Sequence, residues 1–149
     1  SVRNMKFTEI EPQNYRQACA LSVKPQQQGY LSSAPMILAR AYAFRQQNSQ
    51  VWLIEAEEEA VGIIMIREAD QGQTIVLDQF FIDQCFQGRG YGRRAMEQLL
   101  QKLRKSKAKQ IVLCCREADQ IAQRLYRSLG FVETGERDED EILFSLNWD

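Results

Sequence analysis

The run Gln87-Gly88-Arg89-Gly90-Tyr91-Gly92-Arg93 is the stretch of this sequence best suited to hold a negatively charged ligand. Before it, Thr74–Ile82 is rich in β-branched and aromatic residues, which suit a strand. After it, Tyr91, Ala95, Met96, Leu99, Leu100 and Leu103 recur at helical spacing. A strand feeding a glycine-rich helix start presents unpaired N–H groups and the positive end of a helix dipole. Arg89, Arg93 and Arg94 add formal positive charge. The run reads as a phosphate cradle, against the plainer alternative of a junction whose glycines serve tight packing.

The kind of cradle can be narrowed. A nucleoside-triphosphatase loop ends in Gly-Lys-Ser/Thr, and a dinucleotide fingerprint needs G-x-G-x-x-G. Neither is present; Gly88, Gly90 and Gly92 give G-x-G-x-G. The chain contains no histidine, so catalytic triads and metal sites built on histidine are excluded. Acid–base work falls to carboxylates, tyrosine, lysine, cysteine or water. Cys19, Cys85, Cys114 and Cys115 fit neither a zinc spacing nor a disulfide framework, which points to a reducing cytoplasm. In an extended strand Cys114 and Cys115 face opposite sides, and they read as small hydrophobes.

These residues must be positioned by a larger framework. At 149 residues with 44% hydrophobic content, the simplest reading is one domain spanning 1–149. No apolar run is long enough for a membrane span, and no leader-like pattern opens the chain. Net charge is −1, and the basic residues are scattered except near 89–109, so nucleic-acid binding is not expected. The pattern predicts strands at Lys6–Ile10, Val51–Glu57, Ala60–Glu68, Thr74–Ile82, Gln110–Cys115, Phe131–Glu136 and Glu141–Leu146. Helices are predicted from Pro12, from Pro35 with Ser32 or Ser33 as cap, from about Gly90 to Lys105, and after Asp119. Gly130 fits the position that closes the last helix. Gln26–Tyr30 reads as a polar connector. The order β-α-α-β-β-β-α-β-α-β-β gives a mixed α/β (α+β) sandwich.

Two motifs in this order carry a resemblance. Gln87-x-x-Gly90-x-Gly92 resembles the Q/R-x-x-G-x-G/A pyrophosphate loop of the GNAT N-acetyltransferase superfamily. Asp119-x-x-Ala122-x-x-Leu125-Tyr126-x-x-x-Gly130-Phe131 resembles its N-x-x-A-x-x-L/F-Y-x-x-x-G-F segment, with Asp119 in place of the usual Asn. Leu77-Asp78-Gln79-Phe80-Phe81-Ile82 looks most like the bacterial spermine/spermidine (diamine) acetyltransferases. Some relatives carry a second acid where this chain has Gln79.

The resemblance implies a mostly antiparallel, seven-stranded sheet flanked by about four helices. It implies acetyl-CoA as co-substrate and transfer of its acetyl group to a primary amine, with a polyamine ahead of other small amines and of protein N-termini or lysines. The N–H groups of Gln87, Gly88, Arg89, Gly90, Gly92 and Arg93 would hold the pyrophosphate. The backbone of Phe81, Ile82 and Asp83 would pair with the pantetheine amides, and Asp119 would stand near the cofactor. Tyr126 is the implied proton donor to the thiolate, against a core aromatic. A cytoplasmic enzyme, a homodimer and no metal complete the expectation; a non-catalytic acyl-CoA sensor is the alternative from another class. For Asp78, strand alternation puts the carboxylate on a face with Val76, Phe80 and Ile82. Burial there would raise its pKa and suit it as the base that deprotonates an amine of pKa roughly 10.4. A structural carboxylate or an anchor for cations are the other readings.

Overall fold

A computed structural model describes residues 5–148. Seven strands form one sheet in the order β1-β2-β3-β4-β5-β7-β6. They are β1 (Lys6–Glu9), β2 (Gln50–Ala56), β3 (Glu59–Ala69), β4 (Thr74–Ile82), β5 (Gln110–Arg116), β6 (Val132–Asp138) and β7 (Glu141–Asn147). Only β4 and β5 pair in parallel; every other neighbour is antiparallel. Four α-helices, α1 (Tyr15–Cys19), α2 (Ala34–Ala43), α3 (Tyr91–Arg104) and α4 (Gln120–Ser128), complete the expected inventory. None is long and apolar enough to cross a membrane.

Side-chain alternation divides the core in two. Ile64, Ile66, Ile75, Leu77 and Phe144 pack with the apolar stripe of α3, Ala95 to Leu103, and with Tyr126 of α4. On the opposite face Leu53, Ile63, Met65 and Phe81 pack with Ala18 of α1 and with Ala34, Ile37 and Ala41 of α2. Local chemistry sets several boundaries. Ser33 accepts from the Met36 N–H and starts α2. Asp119 accepts from the Ala122 N–H and starts α4, and Gly130, at φ +101°, closes it. The supposed connector is a 3₁₀ segment, Pro25–Tyr30, whose opening proline costs no hydrogen bond.

Two irregularities shape the sheet. The β3–β4 register pairs Met65 with Gln79 and Ile66 with Leu77, so Asp78 is an extra residue without a partner on β3. The β4–β5 pairing runs only from Thr74 and Gln110 to Leu77 and Leu113. Beyond that point β5 continues against β7 while β4 continues against β3. The two parallel strands therefore part immediately before the bulge.

Gly62 secures the outer half of β4. A Cβ at this position would lie 2.6 Å from the Phe81 carbonyl oxygen and 2.9 Å from Ile82 Cδ1. Gly62→Ala must displace β4, and overpacking of this kind costs about 1–3 kcal/mol. Denaturant unfolding should show that loss; unchanged stability would mean that β3 and β4 do not approach so closely.

Candidate active site

The parting of β4 and β5 opens a cleft of about 450 Å³. Its floor is the free edge of β4. The Asp83 N–H donates to the Val61 carbonyl at 2.8 Å. Alternation in an antiparallel ladder then turns the backbone groups of Phe81 towards β3 and those of Phe80 and Ile82 towards the gap. This corrects the expected backbone trio. Ile82 faces the gap, Phe80 joins it, and Phe81 and Asp83 are committed to β3. The Asp83 carboxylate accepts instead from the N–H groups of Ser22 and Cys85, at 2.9 Å each, and shapes the turn after β4.

The glycine run forms one end of the cleft. Gly88 and Gly90 take φ of +80° and +85°, a region costly for any residue with a Cβ. Gly90 is the N-cap of α3, and the Arg94 N–H bonds to its carbonyl at 3.2 Å. The N–H groups of Tyr91, Gly92 and Arg93 precede that first helical bond and have no partner within the helix. Gln87 fastens the loop: its Nε2 donates to the Ile82 carbonyl at 2.9 Å and to Gln27 Oε1 at 3.0 Å. Gln27 Nε2 returns a bond to Gln87 Oε1 at 3.3 Å. The side chain of Arg93 reaches Ser128 and Glu97, and that of Arg89 lies over the Phe86 ring. The loop thus offers glycine backbone to the cleft, with its arginines contributing charge around it.

One wall comes from α4, where Asp119, Ala122, Leu125 and Tyr126 line the cleft. Tyr126 is buried, with its ring edge-on to Phe131 at 5.5 Å. Burial, reinforced by Cys115 and Asp119, pushes its phenol well above the ordinary value. It is a neutral O–H donor throughout the physiological range. Asp119 is occupied as the N-cap of α4. Burial, with Asp119 and Glu141 nearby, pushes the Cys115 thiol up to about 12. Burial and Glu141 also raise Cys114. Neutral thiols are poor nucleophiles, so the cysteines of this cleft do not favour a covalent acyl-cysteine route.

Asp78 departs most from expectation. The bulge interrupts alternation, so its side chain lies on the α2 face, opposite Phe80 and Ile82. There it is 3% exposed and flanked by two arginines. Arg40 Nε and Nη2 donate to its two oxygens at 2.8 and 2.9 Å. Arg67 Nε donates at 2.8 Å and Gln79 Nε2 at 3.2 Å. Both guanidinium groups sit 4.9 Å from the Phe44 ring centroid. Burial alone pushes the carboxyl up. The hydrogen bonds from Arg40 and Arg67, the Arg40 charge and the Gln79 amide outweigh it and hold the carboxyl below the usual range. The expected rise in pKa is overturned, and with it the reason for choosing Asp78 as a base.

Sequence reading passed over several lining groups. Gln27 and Tyr30 of the 3₁₀ segment form part of the rim, and Glu141 at the start of β7 lines the far side. Among the described residues no cluster of cysteine, aspartate and glutamate is arranged to hold a metal ion.

Residues 11–131 match the acetyltransferase (GNAT) family model. The chain belongs to the GNAT acetyltransferase family. The spermine/spermidine N(1)-acetyltransferase of Bacillus subtilis is 39% identical over 72 residues, covering 48% of this chain and 47% of that protein. The chain thus matches about half the length of that curated relative. The N-acetylaspartate synthetase of Danio rerio is 24% identical over 99 residues, covering 66% of this chain and 35% of that protein. Among solved structures, the Vibrio cholerae spermidine N-acetyltransferase with CoA and spermine superposes with TM-score 0.79 at 18% identity, covering 97% and 96% of the two chains. The ribosomal L7/L12 alpha-N-protein acetyltransferase RimL with coenzyme A gives 0.81 at 15% identity, covering 98% and 95%. At these identities the two structures share the fold.

Two tests follow. Gly90→Glu adds a side chain where φ is +85° and a negative charge at the helix start. Calorimetry should show acetyl-CoA affinity lost in the folded variant and partly kept in Gly90→Ala; normal affinity in Gly90→Glu would place the cofactor elsewhere. For Asp78, a depressed folded-state pKa means that its ion cluster stabilises the fold above the unfolded value of ~3.9 and that this contribution fades as pH falls through the lower folded value. The stability difference between wild type and Asp78→Asn should therefore shrink between neutral pH and pH ~3. A constant difference would contradict the charged assignment.

Proposed function

We propose that this domain catalyses acetyl-CoA-dependent N-acetylation of a primary amine, with polyamines as the acceptor class. The observation carrying the reading is the association, in one cleft, of a free strand edge, a helix start with unpaired N–H groups, and a neutral buried phenol. Phe80 and Ile82 are suited to pair with an extended amide-bearing chain. Tyr91, Gly92 and Arg93 are suited to its phosphates. An acetyl thioester seated there supplies the electrophilic carbonyl.

The protein's own contribution is orientation and proton management. Tyr126 Oη is the donor for the departing sulfur, kept neutral by burial. With the cysteines protonated, direct attack by the amine is favoured over a two-step relay through the enzyme. Asp78, neutralised by two arginines, is not suited to anchor a cation. The β6–β7 hairpin takes that place in our reading: Glu136, Asp138, Glu139, Asp140 and Glu141 cluster there, and Glu141 reaches the cleft. Arg116 pairs with Asp140 at 2.9 Å and Glu141 at 3.9 Å, and the acids outnumber the arginines beside them. Such a field attracts polycations and disfavours their escape. Glu141, the hairpin carboxylate that lines the cleft, is the group we assign to take up the proton of the attacking amine. The names of the Bacillus and Vibrio relatives support the polyamine class.

The decisive assay measures CoA release with spermine, spermidine, an aminoglycoside and peptide N-termini as acceptors. Polyamines should give the highest kcat/KM. Preference for a peptide N-terminus would reassign the acceptor, and tight acetyl-CoA binding with no turnover of any amine would indicate a sensor. Tyr126→Phe should lower kcat by ~10²-fold or more at nearly unchanged acetyl-CoA affinity. A drop of less than a few-fold would return Tyr126 to a packing role.

A further inference from the structure

We infer that the Arg40–Asp78–Arg67 cluster is a positioning device: it pins the β4 bulge and so sets the cofactor-binding edge that begins two residues later. This rests on the reading of the β4–β5 gap as the acetyl-CoA seat.

Four observations converge. Asp78 is the bulged residue itself, without a partner on β3. Pairing between β4 and β5 ends at Leu77, directly before it. The groups that face the gap, on Phe80 and Ile82, owe their direction to the reversal of alternation that the extra residue introduces. Finally, the carboxylate is almost fully buried and bonded to arginines on two different elements, accepting through both oxygens from Arg40 on α2 and through Oδ2 also from Arg67 on β3.

A bulge needs something to decide which residue is extra. Without it, β4 has an alternative register in which Asp78 pairs with β3 and every residue beyond is turned over. That register would direct Phe81 and Asp83 to the gap and carry Phe80 and Ile82 off the α3 face. The two guanidiniums oppose that slip by holding the extra residue out of the β3 ladder: drawing Asp78 in to pair with Met65 would shift a buried carboxylate from the point where Arg40 and Arg67 converge. Arg67 is itself held by Gln47, whose Oε1 accepts from Nη1 at 3.0 Å, and both guanidiniums rest on Phe44. The anchor is therefore attached to β3, α2 and the segment after α2. Through Arg40, α2 is coupled to the bulge that precedes the residues suited to the pantetheine arm.

A positioning role differs from a base or a cation anchor in what it changes. Asp78→Asn should weaken acetyl-CoA binding, measured by calorimetry without any amine, up to ~100-fold, the scale on which misplacement of about 1 Å acts. Its kcat/KM should fall by a similar factor at every pH, leaving the shape of the pH profile intact. Arg40→Gln should move acetyl-CoA affinity in the same direction, and Arg40→Lys, which keeps the charge but not the two-pronged bond, should restore part of it. Should Asp78→Asn fail to fold, the Arg40 pair carries the same test. Normal acetyl-CoA affinity in the variants, with activity recovering at high pH, would make Asp78 the base and overturn the inference. Normal acetyl-CoA affinity with a raised KM for the polyamine would overturn it in favour of an anchor. If wild type itself does not bind acetyl-CoA, the cofactor reading fails first.

Discussion

Backbone hydrogen bonding is the constraint on which this structure depends. Two parallel strands that pair for four residues and then part leave N–H and C=O groups facing a gap, and such groups need partners. Part of the demand is met within the chain, by Gln87 bonding the Ile82 carbonyl. The remainder is a strand-shaped vacancy in hydrogen bonding, lined on one side by β4 and closed at one end by the start of α3. A ligand with an extended amide chain and a phosphate head satisfies both features. The fold and its ligand class are thus linked through the same unpaired groups.

Electrostatics divides the surroundings of the cleft. The start of α3 and the arginines of the glycine run make one end favourable to phosphate. The β6–β7 hairpin places acidic residues on another side, two of them, Asp140 and Glu141, paired with Arg116. On the α2 face of the sheet lies a cluster with two positive charges and one negative, in which neither sign is free to act alone. Taking these charges from water is expensive, and their bonds are good enough to compensate only while all three remain together. Such a cluster fits a structural task better than proton transfer, which needs a group able to change its charge at working pH. Tyr126, which burial holds neutral, is suited in our reading to donate a hydrogen bond to the departing sulfur.

Much of this was legible in the sequence because it is local. The span Thr74–Ile82 was readable from residue type, α3 from its apolar spacing, and the caps Ser33, Asp119 and Gly130 from chemistry confined to a turn. The face of Asp78 was not. Alternation counted along β4 alone places it with Phe80 and Ile82; the bulge that separates them exists only in the register with β3. Its partner Arg40 lies 38 residues away on another element. The 3₁₀ rim escaped for a related reason, since Gln27 gains its role from Gln87, 60 residues on. What the sequence hides here is pairing across the fold.

The central claim, that the parted strands and the glycine run seat acetyl-CoA, is tested most directly by residue-resolved amide hydrogen exchange with and without CoA. The account predicts slower exchange at Phe80, Ile82, Tyr91, Gly92 and Arg93, with Phe81 and Asp83, already bonded to β3, little changed. Protection that bypasses these five amides and falls elsewhere on the sheet would contradict it.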